Sequence, residues 1–353
     1  MIDLIGWDFN VGLMPYTDKW RKHRRLFQQC FRPDAARNYR PIQMTKIHDF
    51  LRGLLSRPED FVALYKTVAA AVIMATMYGY QVEPIEDHFV TLSEEAVKML
   101  SDAALPGAAA VNAFPFFVTF LAGCQVAECR KRTEEMQQVP FDFVKQNMVG
   151  KGTSAKSIVS MLLEANQAEG GSYQPEQVIR AVSATAYAAG SDTTVSSIGT
   201  FFYAMACIQK FSRRLVHWKA QSEIDNVIGT HRLPEFEDRP SLPYIEALYR
   251  EVMRWKPVLP WGYFIPKAFK GYDTDESIYP EPGRFNPDRF FTADGSRHTA
   301  DATVWATIVS VLSAFTIAKA KDEAGNEIDI DPVYSDGSLA IPQPFQFEAT
   351  ADL

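Results

Sequence analysis

The chain has 353 residues, of which 47% are hydrophobic, so it is long enough to bury one large core or two ordinary ones. The formal net charge of −7 argues against a nucleic-acid partner, because such partners usually require a concentrated basic face. The 24 Phe and 14 Tyr residues exclude a disordered chain, since disordered segments are poor in aromatic residues.

Helical periodicity dominates the chain up to residue 256. Beyond it the pattern gives way to proline-punctuated coil, a final helix over Thr303–Lys319 and a small β-hairpin region over Ile328–Phe347. We therefore expect a mainly α fold with a small β part, formed by one domain over residues 1–353. The predicted helices before the coil are Asp18–Phe31, Met44–Leu55, Phe61–Tyr80, Glu94–Asp102, Arg130–Asn147, Ser157–Gln167, Pro175–Cys207, Trp218–Val227 and Ser241–Lys256.

The cysteines and the N-terminal residues indicate which cellular compartment the chain occupies. Four cysteines, Cys30, Cys124, Cys129 and Cys207, show no metal-type spacing, and their low density favours free thiols in a reducing compartment. No apolar segment opens the chain, so we expect neither a signal peptide nor a membrane anchor.

The helix predicted over Pro175–Cys207 contains an unusual segment, Ala188–Thr194. Its Gly, Ser, Asp and Thr residues are poor helix formers, and together in mid-helix they lower helix stability. Their hydroxyls can also bond back to helix carbonyls and bend the helix. From the residues alone, this segment is either a kink, a helix end or a functional site.

A charged pair lies on the helix predicted over Ser241–Lys256. Glu251 and Arg254 are three residues apart and share one helix face. Such pairs are common on solvated surfaces, where they contribute little to stability. Downstream, Arg289 lies among aromatic residues and a proline in the segment Phe285–Phe290. A triad of Glu251, Arg254 and Arg289 fits a buried, hydrogen-bonded anchor for the coil.

Three segments together resemble, in order, motifs of the cytochrome P450 family of the microsomal type found in fungi. Trp20 to Arg24 resembles the W-x-x-x-R of the helix that binds a heme propionate. Ala189 to Thr194 resembles the oxygen-activation motif of the central helix. Glu251 to Arg254, with Phe285–Phe290, resembles the E-x-x-R motif and its arginine-bearing meander.

This resemblance implies a P450 fold and a heme b cofactor. It implies a monooxygenase that inserts one oxygen atom from dioxygen into an apolar organic small molecule. Its electron donor would be NADPH–cytochrome P450 reductase, and its location the endoplasmic-reticulum membrane. It assigns Trp20 and Arg24 to a heme propionate, and it places Ala189 and Gly190 against the cofactor.

The same resemblance gives catalytic roles to two further residues of the central helix. Thr193 would hold the distal oxygens by a hydrogen bond, and Asp192 would relay protons through water. Gly190 would let oxygen approach the helix backbone closely, because glycine has no Cβ.

The sequence departs from the family at the iron ligand. The family carries a loop of the form F-x-x-G-x-R-x-C-x-G before the last long helix, and its cysteine thiolate ligates the iron. No cysteine follows Cys207. We expect the loop to be missing between Gly295 and Arg297, and the N-terminal strands of the family to be missing as well.

We assign no metal ligand from this sequence. His298 is the only other candidate near that loop, and it is explained more simply as a solvated residue at a helix start. The alternative to an active oxygenase is therefore a truncated, non-catalytic P450-like chain that cannot ligate heme iron through cysteine. The residues alone leave open whether the chain is an enzyme.

Overall fold

The computed structural model describes residues 2–83, 87–103, 123–151, 156–170, 174–207, 210–258, 276, 279–291, 302–330, 334, 341–342 and 345–351. Within these ranges the protein is mostly helical with a small two-stranded sheet, which confirms the expected fold class. The chain divides into two compact units, Met1–Ile42 with Lys66–Asp192 and Gln43–Tyr65 with Thr193–Leu353. The expectation of a single domain stays a prediction, and each unit is described by itself.

The α-helices and strands have the following bounds, and short 3₁₀ turns lie at Arg37–Tyr39, Pro58–Asp60, Phe236–Ser241 and Pro287–Phe291. In chain order they are α1 (Asp18–Phe31), α2 (Pro33–Ala36), α3 (Arg40–Ser56), α4 (Phe61–Tyr78), α5 (His88–Ala103), α6 (Gly123–Lys151), α7 (Ile158–Ala168), α8 (Glu176–Cys207), α9 (Lys210–Val227), α10 (Pro243–Trp255), α11 (Ala302–Ala314), β1 (Phe315–Lys319) and β2 (Phe347–Ala351).

Side-chain caps decide where several helices begin. The Thr17 hydroxyl accepts a hydrogen bond from the Trp20 amide, so α1 begins at Asp18, as predicted. Helix α5 begins at His88, earlier than the predicted Glu94, because the Asp87 carboxylate accepts hydrogen bonds from the amides of Phe89 and Val90. An Asp at this position satisfies amides that have no partner inside the helix.

In the first unit, the part of α8 up to Asp192 is buried among α4 and α5. The Tyr187 side chain is fully buried, and its ring meets the ring of Tyr78 edge to face at 6.1 Å. The Tyr187 hydroxyl donates a hydrogen bond to the carbonyl of Phe89, which ties α8 to the first turn of α5. Burial of large aromatic side chains of this kind stabilises the packing.

In the second unit, α9 holds the start of α10. The Glu223 carboxylate of α9 accepts hydrogen bonds from the amides of Tyr244 and Ile245, at 2.8 and 3.0 Å. A carboxylate at a helix N-terminus also interacts favourably with the helix dipole. Helix α10 is amphipathic, and its inward face includes Ile245, Leu248 and Val252, which are fully buried.

The prediction of a helix over Thr303–Lys319 is wrong at its end. Helix α11 ends at Ala314, and Phe315–Lys319 forms strand β1, which pairs antiparallel with β2 and places Phe315 opposite Ala351. The partner strand begins at Phe347, 28 residues after Lys319, so no local pattern reveals the pairing. Much of the predicted hairpin region Ile328–Phe347 lies outside the described residues, although a bridge joins Tyr334 to Pro342.

One helical stretch of the described residues, Pro58–Tyr78, is long and apolar enough to cross a membrane. Two-thirds of its most apolar window is buried inside the protein. This burial is typical of a core helix in a globular protein, which satisfies the same length and composition criteria.

Candidate functional site

The structure brings together the three charged residues Glu251, Arg254 and Arg289. Arg254 Nε lies 2.7 Å from Glu251 Oε2, and Arg254 Nη2 lies 2.8 Å from Glu251 Oε1. Arg289 Nε lies 3.2 Å from Glu251 Oε2. The Glu251 side chain is fully buried, and both arginines are nearly so. Two-point Arg–carboxylate contacts of this kind are among the stronger charged hydrogen bonds.

The same triad holds the coil after α10. The amide of Asn286 donates to Glu251 Oε1 at 2.7 Å, and Arg254 Nη2 donates to the carbonyl of Pro282. Arg289 donates to the carbonyls of Pro280 and Arg284. Within the described residues 279–291, the triad therefore supplies hydrogen bonds that help to fix the path of the coil.

The segment Ala188–Thr194 is helical, because α8 runs without a break from Glu176 to Cys207. The interpretation of this segment as a helix end is therefore wrong. The Ser197 hydroxyl donates to the carbonyl of Thr193 at 3.0 Å, a back-bond of the expected kind. Ala189 is exposed and Gly190 is partly buried.

Gly190 has a packing role that the sequence did not reveal. A Cβ placed on Gly190 would lie 3.2 Å from Cδ1 of Ile73 in α4, which is tighter than an ordinary contact. The Cβ direction of Gly190 therefore faces the side chain of an isoleucine in the same unit. A small residue at this position is explained by helix–helix packing.

Asp192 lies at the edge of the first unit and is partly buried. The pKa of its carboxyl is raised to about 7, first by desolvation on burial and then by the negative charge of Glu94. The ammonium of Lys66 acts in the opposite direction. A carboxyl with such a pKa exchanges its proton near neutral pH, as a proton relay requires. The next residue, Thr193, belongs to the second unit and is also partly buried.

Lys66 and Glu94 are charged neighbours of Asp192 that the sequence analysis missed. Lys66 Nζ lies 3.4 Å from Glu94 Oε1, and both side chains are less than half exposed. Lys66 lies on α4 and Glu94 on α5, so only tertiary packing brings the pair together. No spacing in the sequence could have indicated it.

Trp20 and Arg24 lie on α1 in the first unit. The Trp20 indole donates a hydrogen bond to the carbonyl of Val11 at 3.1 Å, so its N–H is already satisfied within the chain. Arg24 is exposed and forms no ion pair with any residue that the structure describes. Of the two, Arg24 is the residue with donors available for an anion such as a carboxylate.

Two of the described thiols, Cys30 and Cys129, fit the iron of a heme poorly. The proximal ligand of this family is a thiolate, which must be deprotonated. Burial raises the pKa of Cys30 to about 11, and it also raises the pKa of Cys129. Three further features lie outside the described residues: the side chain of Cys124, the position between Gly295 and Arg297 where the ligand loop is missing, and His298.

Metal-binding clusters of His, Cys, Asp or Glu side chains are absent from the described part of the chain. Arg24 could therefore hold a heme carboxylate, whereas the raised pKa values of Cys30 and Cys129 disfavour these two thiols as ligands of the iron.

Comparison with known proteins agrees with the motifs. The cytochrome P450 family model matches residues 9–303. A cytochrome P450 monooxygenase of Armillaria gallica is 32% identical over 98% of this chain and 76% of its own length. A cytochrome P450 monooxygenase of Coprinopsis cinerea is 32% identical over 94% and 71%. A multifunctional cytochrome P450 monooxygenase of Aspergillus fumigatus is 32% identical over 98% and 73%.

The alignment with the Armillaria gallica protein extends over 391 residues, more than the 353 residues of this chain. The relative therefore carries segments without a counterpart here. The shared motifs, the helical fold and the extent of the family match lead to one conclusion: the chain belongs to the cytochrome P450 family, a family of heme proteins, and its relatives support a monooxygenase function.

Proposed function

We propose that this protein is a heme b monooxygenase that oxidises an apolar organic small molecule with electrons from NADPH–cytochrome P450 reductase. When bound, heme supplies the activation of dioxygen. The observation that carries the proposal is the Asp192 carboxyl, whose pKa of about 7 suits it to exchange protons at neutral pH. Its place in α8, directly before Thr193, agrees with the motif of the family.

The other proposed roles belong to this chain's own side chains. Arg24 supplies a cation for a heme propionate from the exposed face of α1, and Trp20 positions that face through its hydrogen bond to Val11. Ala189 and Gly190 provide a stretch of α8 with little side-chain bulk. Thr193, the next residue along the chain, offers a hydroxyl for binding an oxygen atom.

A second candidate function is a non-catalytic P450-like chain. It is favoured by the absence of cysteine after Cys207 and by the unsuitable thiols of Cys30 and Cys129. Without a thiolate the iron lacks the electron donation that favours O–O cleavage. We propose that thiolate ligation requires a loop that this sequence lacks.

A comparison of two proteins separates the two candidates. The first is the chain as given, and the second carries a loop of the form F-x-x-G-x-R-x-C-x-G inserted between Gly295 and Arg297. Both are loaded with heme b, reduced and exposed to carbon monoxide, and both are then assayed with the reductase and a panel of apolar substrates.

We expect a red-shifted, thiolate-type carbon monoxide band and product only from the protein with the loop. If the chain as given already shows this band, the non-catalytic candidate is rejected. If the protein with the loop folds, shows the band and yet forms no product, the oxygenase proposal fails for this chain.

A further inference from the structure

One buried histidine of the first unit presents a ring nitrogen that the rest of the chain does not use. His23 lies on the inward face of α1 with Leu26 and Cys30, and only 4% of it is exposed. Its Nδ1 lies 2.7 Å from the backbone carbonyl oxygen of Lys19. Because a carbonyl oxygen only accepts hydrogen bonds, Nδ1 carries the proton of the neutral ring, and Nε2 therefore carries the lone pair.

The Nε2 atom of His23 forms no hydrogen bond with any residue that the structure describes. It is also not one of the enclosed polar atoms of the described residues, in contrast to the Nε2 atoms of His48 and His217. A ligand can therefore approach His23 at Nε2, whereas the rings of His48 and His217 would first have to move.

Burial keeps the ring of His23 neutral at pH 7. Desolvation lowers its pKa, the hydrogen bond to the Lys19 carbonyl opposes this shift, and the charge of the Lys19 ammonium lowers the pKa as well. Histidines that ligate metals commonly donate their other ring N–H to a backbone carbonyl, which fixes the tautomer and the orientation of the ring. His23 has this arrangement, and histidine is an axial iron ligand in several classes of heme protein.

His23 is the neighbour of the residue assigned to a heme carboxylate. Arg24 follows it directly on α1 and is exposed. One helix thus carries a cation for the edge of the heme and a neutral nitrogen for its iron. Competition from thiols is weak, because burial raises the pKa of Cys30 and of Cys129, and no cysteine follows Cys207.

We propose that His23 Nε2 ligates the heme iron in the chain as given, in place of the thiolate that the family uses. The lone pair of the neutral ring forms the bond to iron, so the step releases no proton and transfers no electron. The inference rests on the heme binding of the proposed function and not on its oxygen chemistry. Because a histidine lacks the electron donation of a thiolate, this ligation favours the non-catalytic candidate for the chain as given.

Resonance Raman spectroscopy of the full chain tests the ligand directly. The chain as given is titrated with heme b and reduced, and the iron–histidine stretch is measured. We expect this stretch in the parent chain and its loss in His23→Gly. It should return when imidazole is added to that variant, because the small molecule replaces the deleted ring. His231→Gly, at an exposed position, is the matched control and should keep the stretch.

A second variant leaves His23 in place, because His23→Gly removes a buried side chain from a helix and could fail to fold. It combines His88→Gln, His231→Gln and His298→Gln, which leaves His23 with the enclosed His48 and His217. We expect this triple variant to keep the stretch. A stretch that persists in folded His23→Gly, or that disappears in the folded triple variant, overturns the proposal. A parent chain that binds no heme, or binds it without this stretch, overturns it too.

The outcome is separable from that of the oxygenase experiment, which depends on the protein with the inserted loop. If that protein forms product and the parent chain shows no iron–histidine stretch, the inference fails and the proposed function stands. If the parent chain shows the stretch and the protein with the loop binds heme through its thiolate without forming product, the proposed function fails and His23 remains the ligand.

Discussion

Arg289 Nε lies 3.2 Å from Oε2 of Glu251, although 38 residues separate the two in the chain. Arg254, one helical turn after Glu251, contacts the same carboxylate. One buried carboxylate thereby faces two cations and the amide of Asn286. This arrangement fixes the coil that follows α10 to the helix itself.

We expect Glu251→Ala to destabilise the protein by ~3–5 kcal/mol, because it leaves two nearly buried guanidinium groups without their anion. Chemical denaturation monitored by circular dichroism measures the change. The control is Glu281→Ala, which breaks an exposed pair with Arg284 and should cost at most ~1 kcal/mol. Equal losses in the two variants would contradict a structural role for the triad.

Asp192 should make the free energy of unfolding depend on pH. Its pKa of about 7 in the folded protein lies above its value of about 4 in an unfolded chain, so the folded state binds the proton more tightly. This contribution to stability is complete below pH ~4 and is lost as the pH rises to ~7. Asp192→Asn should flatten the profile between these values, whereas Asp34→Asn, at an exposed site, should preserve it.

We expect mutations to show that Trp20 has a structural role and that Arg24 binds the cofactor. Trp20→Phe removes the hydrogen bond to Val11 and should lower the stability of the heme-free chain by ~1 kcal/mol. Arg24→Ala should change that stability by no more than ~0.5 kcal/mol, because the side chain is exposed. In heme titrations, Arg24→Ala should weaken binding, and unchanged affinity would remove Arg24 from the site.

Gly190 and Ile73 should be energetically coupled. Alanine favours the helix over glycine by up to ~1 kcal/mol, but its Cβ at position 190 would press on Cδ1 of Ile73. We expect Gly190→Ala to be more stabilising in an Ile73→Val background, which removes that methyl, than in the parent chain. A double-mutant cycle on thermal unfolding measures the coupling, and strict additivity would show that the contact is unimportant.

We expect the gene to encode the missing ligand loop between the codons for Gly295 and Arg297. Both flanks keep the character of the family, and the relatives carry segments without a counterpart in this chain. Drift would blur the flanks as well, whereas a splicing or annotation boundary leaves them intact. Sequencing of the locus and its transcripts should find an in-frame segment with a C-x-G pattern. If none exists, this chain is a true relative without the heme thiolate.

The sequence determined the fold class, most helices and the family. Helical periodicity and capping residues act over a few positions, so α1 could be predicted at both ends. The triad could also be predicted, because Glu251 and Arg254 form an E-x-x-R pair and Arg289 lies in a short segment of aromatic residues and proline. The absent cysteine is likewise a property of the sequence alone.

Only the tertiary structure decided which distant groups meet. Strand β1 forms because β2 pairs with it, and Gly190 is explained by Ile73 of another helix. The Lys66–Glu94 pair and the raised pKa of Asp192 depend on the packing of α4, α5 and α8. Charge interactions and desolvation depend on distance and burial in space, which local sequence patterns do not encode.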